Sequence, residues 1–197
     1  TLSAMLAEPN RVGTPRKPSM PAPASFAAIA RLSDDTGILQ HSAYCVSDRI
    51  HGYCVDDNAR ALMLMQQASE LSDRLYDQWT PVYAAFVQHA WNPEANRFRN
   101  FMGFDRQWLE EAGSEDSSAR TLWSLGITAR DGRHADVRDW AASLLRQTLP
   151  HARAFTSPRA SAFACLAASA MLDALPGDED ARAMLGDRGQ FLAAALA

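Results

Sequence analysis

A pair of adjacent acids followed closely by Ala-Arg, at the head of an apolar helical run, occurs twice in this chain and limits what it can fold into more than any other feature. The first copy is Asp56-Asp57-Asn58-Ala59-Arg60 running on into Ala61-Leu62-Met63-Leu64-Met65. The second is Glu115-Asp116-Ser117-Ser118-Ala119-Arg120 running on into Thr121-Leu122-Trp123-Ser124-Leu125. A weaker third copy, Ser157-Pro158-Arg159-Ala160-Ser161-Ala162, opens a run that reaches Leu175. Asp, Asn and Ser are N-cap residues, and an acid near the positive end of a helix dipole is favoured by about 0.3–1 kcal/mol. A cap uses one acid, so the second acid, together with His51, Tyr53 and Arg60, is left over for other work. A spacing of about 40 to 60 residues between helix heads is the length of two helices and their loops.

The rest of the chain fits helical hairpins. Residues 1–23 hold five of the ten prolines and read as a Pro-rich arm or linker. Ser25 caps a short helix over Phe26–Leu32, a turn cluster follows at Ser33–Gly37, and Ile38–Tyr53 shows no sustained period and reads as loop with short extended pieces. Helices are expected over Asp56–Arg74 and Gln78–Trp91, the second stopped by Asn92-Pro93. Arg97–Met102 alternates in period two, and with Phe104–Leu109 it predicts a small β-hairpin. Further helices are expected over Glu115–Ala129, Asp136–Leu149, Ser157–Leu175 and Asp180–Ala197. Helices apolar on most sides alternate with one-sided ones, the pattern of an inner and an outer layer. The expectation is an all-α fold, an α/α hairpin toroid over residues 24–197 with a small β-hairpin insertion; an open α-solenoid is the alternative. About three hairpins make only part of a ring, so the domain reads as a fragment of a larger one. Its exposed flanks predict a homo-oligomer or a missing C-terminal part of the same chain.

Composition narrows the function. The net charge is −4 and the arginines are mixed evenly with acids, so no basic stripe invites nucleic acid. No apolar run approaches the ~18 residues of a membrane span. Three cysteines without an export signal predict reduced thiols and a cytoplasmic protein. His41, Cys45, His51 and Cys54 match none of the usual zinc-ligand runs, so no metal is expected, and without a Gly-rich phosphate loop no cofactor is expected either. Cys54 beside His51 lacks an oxyanion site and an orienting third group, which argues against a nucleophile.

In a toroid the starts of the inner helices meet at one end of a central funnel, so the repeated acids would face one another. Two carboxylates about 5–10 Å apart are what glycoside hydrolysis requires. Asp57 and Glu115 are the candidate acid and base, with Asp56 and Asp116 holding hydroxyls or tuning the pair. Arg60 and Arg120 would orient carboxylates, and Trp108 with Tyr53 would form a platform for a sugar ring. Against this stands the plainer reading of the four acids as helix caps and partners for the two arginines.

The segments His51-Gly52-Tyr53-Cys54-Val55-Asp56-Asp57-Asn58-Ala59-Arg60-Ala61-Leu62, Phe98–Met102, Asp105-Arg106, Trp108–Glu110 and Gly113–Ser117 resemble a bacterial helical-toroid domain found beside glycosyltransferases. That domain is in turn similar to the six-hairpin glycosidases. The resemblance covers Arg31 to Gly126 and implies a carbohydrate partner, a glycosyltransferase setting and a pocket lined by these motifs. By that likeness His51, Tyr53, Asp56, Asn58, Arg60, Asp105, Arg106, Trp108, Asp116 and Arg120 contact the substrate. The chain departs from the pattern at Asp116-Ser117-Ser118-Ala119-Arg120, where Asp-Ser-His-Gly-Arg is expected, and in having half the hairpins of a ring. The loss of that histidine favours an alternative, a non-catalytic glycan-binding or structural helical-repeat module.

Overall fold

A computed structural model describes residues 25–195; the arm read over residues 1–23 lies outside the described residues. The described residues form seven α-helices, a three-stranded antiparallel sheet and a separate two-stranded one. In chain order these are α1 (Ala27–Leu32), β1 (Leu39–Ala43), β2 (Val46–Cys54), α2 (Val55–Gln67), α3 (Asp73–Ala90), β3 (Trp91–Asn92), β4 (Arg97–Phe98), β5 (Phe101–Met102), α4 (Glu115–Asp131), α5 (Ala135–Thr148), α6 (Pro158–Ala174) and α7 (Glu179–Ala195). No helix among the described residues is long and apolar enough to cross a membrane.

Three helices form an inner row. α2 packs on α4 and α4 on α6, while α3, α5 and α7 each pack on the inner helix that precedes them. The burial expected for inner helices is strongest in the middle one. Leu122 and Leu125 of α4 are fully buried, and so are Ser118, Thr121, Ser124 and Thr128. Most of these hydroxyls are satisfied within the helix: Thr121 Oγ1 donates to Ser117 O at 2.8 Å, Ser124 Oγ to Thr121 O at 2.8 Å, and Thr128 Oγ1 to Ser124 O at 2.8 Å. α6 packs on α4 and buries Ala160, Ala164, Ala167 and Ala168, and Ala167 lies against Gly126 of α4, where the two backbones come close.

Two boundaries differ from the sequence reading. The first inner helix stops at Gln67 rather than Arg74, because Leu71 is buried at the corner and Ser72 Oγ accepts the Leu75 N–H at 3.4 Å, starting α3 early. The main β-hairpin is not at 97–109 but in the stretch expected to be loop, where β1 and β2 pair through a tight turn with Tyr44 at φ 56°. β5 adds to the other side of β2, giving the order β1-β2-β5. Only the last residues of β2 are buried, so the strand lacks the apolar alternation that identifies a half-buried one. Gly52 sits at φ 62°, and a Cβ there would lie 2.2 Å from the Met102 carbonyl oxygen, so glycine is required where β2 meets β5.

A turn of 3-10 helix, Leu149–Ala154, links α5 to α6 and buries His151. Its ring lies among those of Trp91, Phe98 and Phe155, Nδ1 faces the Thr148 carbonyl, and Nε2 has no partner. Burial holds its pKa below the ordinary 6.5, although the Thr148 carbonyl opposes this. The neutral ring is therefore the folded form, and its contribution to stability is present above pH 6.5 and lost as pH falls below it. His151→Phe is expected to flatten the stability profile between pH 7 and pH 5 in urea titrations; an unchanged slope would show that other groups set it.

Candidate functional site

The starts of the three inner helices lie side by side and are joined by a ladder of charge. At the head of α2, Asp56 receives Arg60 at 2.7 Å from its own helix and Arg120 at 2.7 Å from the next. Arg120 also reaches Asp116, one turn back on α4, at 3.1 Å, and Asp116 receives Arg159 of α6 at 2.7 Å. Arg120 Nε approaches Asp56 Oδ1 off the line of a good hydrogen bond, as Arg159 Nε does Asp116 Oδ1, so these two contacts are ion pairs first. The central side chains are shielded: Arg120 is 17%, Asp56 21% and Asp116 29% exposed, whereas Arg60 and Arg159 are open to solvent. Below the ladder the Arg120 guanidinium lies 5.1 Å over the Phe163 ring, and Phe163 stacks on Trp123 at 5.4 Å. Both rings are half-buried.

Local sequence explains the gathering. Each inner helix begins at a side-chain cap, Cys54, Ser114 or Ser157, accepting the N–H three residues on. With the caps fixed, Asp56 and Arg60, or Asp116 and Arg120, stand four apart on one face of their helix. Trp123 and Phe163 continue that face one turn further along α4 and α6. Asp56 is held above the usual carboxylate range by burial, with the nearby acids adding to the effect and Arg120 and Arg60 opposing it.

The structure thus brings together Asp56, Arg60, Asp116 and Arg120 from the residues named by sequence. Asp57 and Glu115 have other partners. Asp57 turns toward a cleft shared with Ile29 and Leu32, where it accepts the Cys54 thiol at 3.1 Å and meets Arg60 at 3.4 Å. Glu115 accepts the Thr156 N–H at 3.0 Å and the Ser157 N–H at 2.9 Å, capping the chain as it enters α6. Burial raises the Glu115 pKa, but these bonds and the Thr156 hydroxyl outweigh it, so the carboxyl sits below its ordinary value. A proton donor needs the opposite shift.

The remaining residues are dispersed. Tyr53 is 1% exposed with its hydroxyl donating to Asp34 at 2.6 Å, so its ring is core and offers no platform. Asn58 is fully buried and ties strand to helix, donating to Cys54 O at 2.8 Å and accepting the Ile38 N–H at 3.0 Å. His51 is exposed on the hairpin, 3.8 Å from Asp48. Asp105, Arg106 and Trp108 belong to the loop after β5: Asp105 accepts the Gln107 N–H at 3.2 Å, Arg106 pairs with Asp35 at 2.8 Å, and Trp108 donates to His89 at 3.1 Å. Arg159, Phe163 and Trp123 were not singled out by sequence. The signal for them was present: a third arginine at an inner helix start, and rings three and four residues beyond Arg120 and Arg159.

Cys54 is spent as a cap. Burial and the Asp57 carboxylate push its thiol up to about 12, while Cys45 is exposed at the hairpin turn. Iodoacetamide at pH 8 is expected to modify Cys45 and leave Cys54 untouched in the native protein, read by peptide mass spectrometry. Rapid labelling of Cys54 would contradict this placement. Among the described residues no group of three or more His, Cys, Asp or Glu side chains is arranged to hold a metal ion.

No protein-family model, curated protein or solved structure matches the chain.

Proposed function

We propose that the chain is part of an α/α toroid of the six-hairpin glycosidase kind, acting beside a glycosyltransferase, and that it binds a glycan at the shared starts of its inner helices. The observation that carries this reading is the ladder itself: acids and arginines from α2, α4 and α6 converge on one surface with the Trp123 and Phe163 rings beside it. Sugar hydroxyls exchange hydrogen bonds with carboxylates and guanidiniums, and the C–H faces of sugar rings pack on aromatic rings. Binding is favoured over turnover because Glu115 is committed to capping α6 and Asp57 faces a different cleft. A glycan array probed with the full chain should retain at least one glycan, and Trp123→Ala and Arg159→Ala should each weaken it about tenfold or more, the exposed Arg159→Ala without shifting the unfolding midpoint. Retention of no glycan, or retention indifferent to both substitutions, would refute the reading.

Hydrolysis is the second reading, and one observation favours it. Burial raises the Asp56 carboxyl, the direction a general acid requires. A retained glycan that is cleaved by the wild type, and bound but not cleaved by Asp56→Asn, would establish it. A retained glycan recovered intact after prolonged incubation would exclude it.

A further inference from the structure

The β1–β2 hairpin carries apolar side chains that the fold leaves in water. β5 pairs with β2 only at Tyr53 and Cys54, so from Val46 to Gly52 the hairpin is a two-stranded ribbon without a third strand. Such a ribbon has no core of its own. Even so it presents Tyr44, Val46 and Ile50, which are 103%, 67% and 88% exposed. Single apolar side chains on a surface are common, but three within seven residues of one hairpin mark a contact surface. The ribbon is held in place. Ser47 Oγ donates to Arg31 O at 2.7 Å, and the Arg49 guanidinium lies 5.3 Å over the Phe104 ring. The hairpin is therefore a fixed apolar knob.

A hollow of matching form lies between α3 and α5. It holds about 420 Å3 and is walled by Pro81, Ala84 and Ala85 of α3 and by Val137 and Trp140 of α5. Pro81 and Ala85 are exposed and the other three are half-buried, so each offers a face to an incoming side chain. Bonds from one helix to the other shut the hollow at both ends. At one end His134 Nε2 meets Asp77 Oδ1 at 2.8 Å, and at the other Trp140 Nε1 donates to Gln88 Oε1 at 2.8 Å. A helix lying lengthwise would have to break these bonds, whereas the end of a hairpin fits between them. Charge agrees with shape. Arg49 on the knob and Asp136 on the wall of the hollow are both exposed, and among the described residues neither has an ion-pair partner. We propose that the tip of the β1–β2 hairpin seats in the α3–α5 hollow of a second copy of this chain, with Tyr44, Val46 and Ile50 on the apolar walls and Arg49 paired to Asp136. Knob and hollow are different surfaces, so the contact joins copies head to tail in a ring, or closes a dimer where two copies exchange knobs. Neither surface includes α6, α7 or the charge ladder, so the inference does not depend on what the ladder binds.

Sedimentation velocity of the full chain tests it at roughly 1 to 100 µM, the range of a weak contact. The wild type is expected to gain mass above the monomer across that range. Ile50→Asp should raise the dissociation constant about tenfold or more, because it removes an apolar anchor from a position where the free chain loses no packing. Arg49→Glu and Asp136→Arg each bring like charges together and should weaken association by about the same factor. Mixed in equal amounts, these two charge variants should associate again, since the reversed knob of one meets the reversed hollow of the other. A chain carrying both substitutions should likewise recover the wild-type behaviour. Restoration by mixing cannot come from misfolded variants. A wild type that stays monomeric throughout overturns the proposal. Association that survives Ile50→Asp overturns it too, by placing some other part of the second copy in the hollow, and so does a mixture of the charge variants that fails to associate.

Discussion

Gly126→Ala is expected to destabilise the protein by about 2 kcal/mol, and Gly126→Leu by about 4 kcal/mol or enough to prevent folding. Gly126 lies in the middle of α4, where alanine would ordinarily gain about 1 kcal/mol from helix propensity. Packing opposes that gain. A Cβ at Gly126 would stand 2.6 Å from the Ala167 carbonyl oxygen and 3.0 Å from the Ala167 Cα. Both are backbone atoms of α6, so no side chain can rotate aside and the two helices must separate. Separation opens the alanine contacts along the whole interface and draws Phe163 away from Arg120. Urea unfolding followed by circular dichroism measures the change. A variant more stable than the wild type would show that α4 and α6 are not held this close.

Arg120→Ala is expected to cost about 2–3 kcal/mol at pH 7. Deleting one partner of a fully buried ion pair costs about 3–5 kcal/mol, and the partial exposure of this cluster lowers that figure. The loss leaves Asp56 and Asp116 without the cation that lies between them, and removes the guanidinium from the Phe163 ring. Arg60 remains beside Asp56 and Arg159 beside Asp116, so the cluster is weakened without being emptied. The pH dependence has a definite sign. Burial already raises Asp56 above its ordinary 3.8, so its ionisation costs stability as pH rises through the folded value. Without Arg120 that cost grows. The deficit of the variant should therefore shrink as pH is lowered from 7 and Asp56 takes up its proton, because a protonated carboxyl needs no cation. Arg120→Lys should recover only part of the loss, because one ammonium cannot address two carboxylates as a guanidinium fork does.

The inner row was legible because its signals are local. Apolar spacing and a cap mark each helix start, an acid pair marks the first two, and the order of buried and one-sided helices gives the layers. The charge ladder was legible in part. Repeated Asp-x3-Arg spacing puts Asp56 with Arg60 and Asp116 with Arg120 on their own helices, whereas the cross-helix contact of Arg120 with Asp56 depends on how α2 meets α4. Which acid of each pair turns to its neighbour was not legible. Asp56 and Asp57 are adjacent, so they point about 100° apart around the helix, and only packing decides which faces α4. The same holds for Glu115, whose role depends on Thr156 and Ser157 arriving from far along the chain. The β1–β2 hairpin was missed because its outer half projects into solvent, with Tyr44, Val46 and Ile50 exposed, and so carries no inside-outside alternation.

Every functional reading of the ladder presupposes that separate hairpins bring their charged helix starts to one place. A double-mutant cycle on Asp56→Asn and Arg120→Met, measured by urea unfolding at pH 7, tests that directly. The 2.7 Å contact between α2 and α4 predicts a coupling of about 1–2 kcal/mol, falling at pH 4. Additive effects, within about 0.3 kcal/mol, would mean that the two side chains do not meet and that the hairpins keep their acids to themselves.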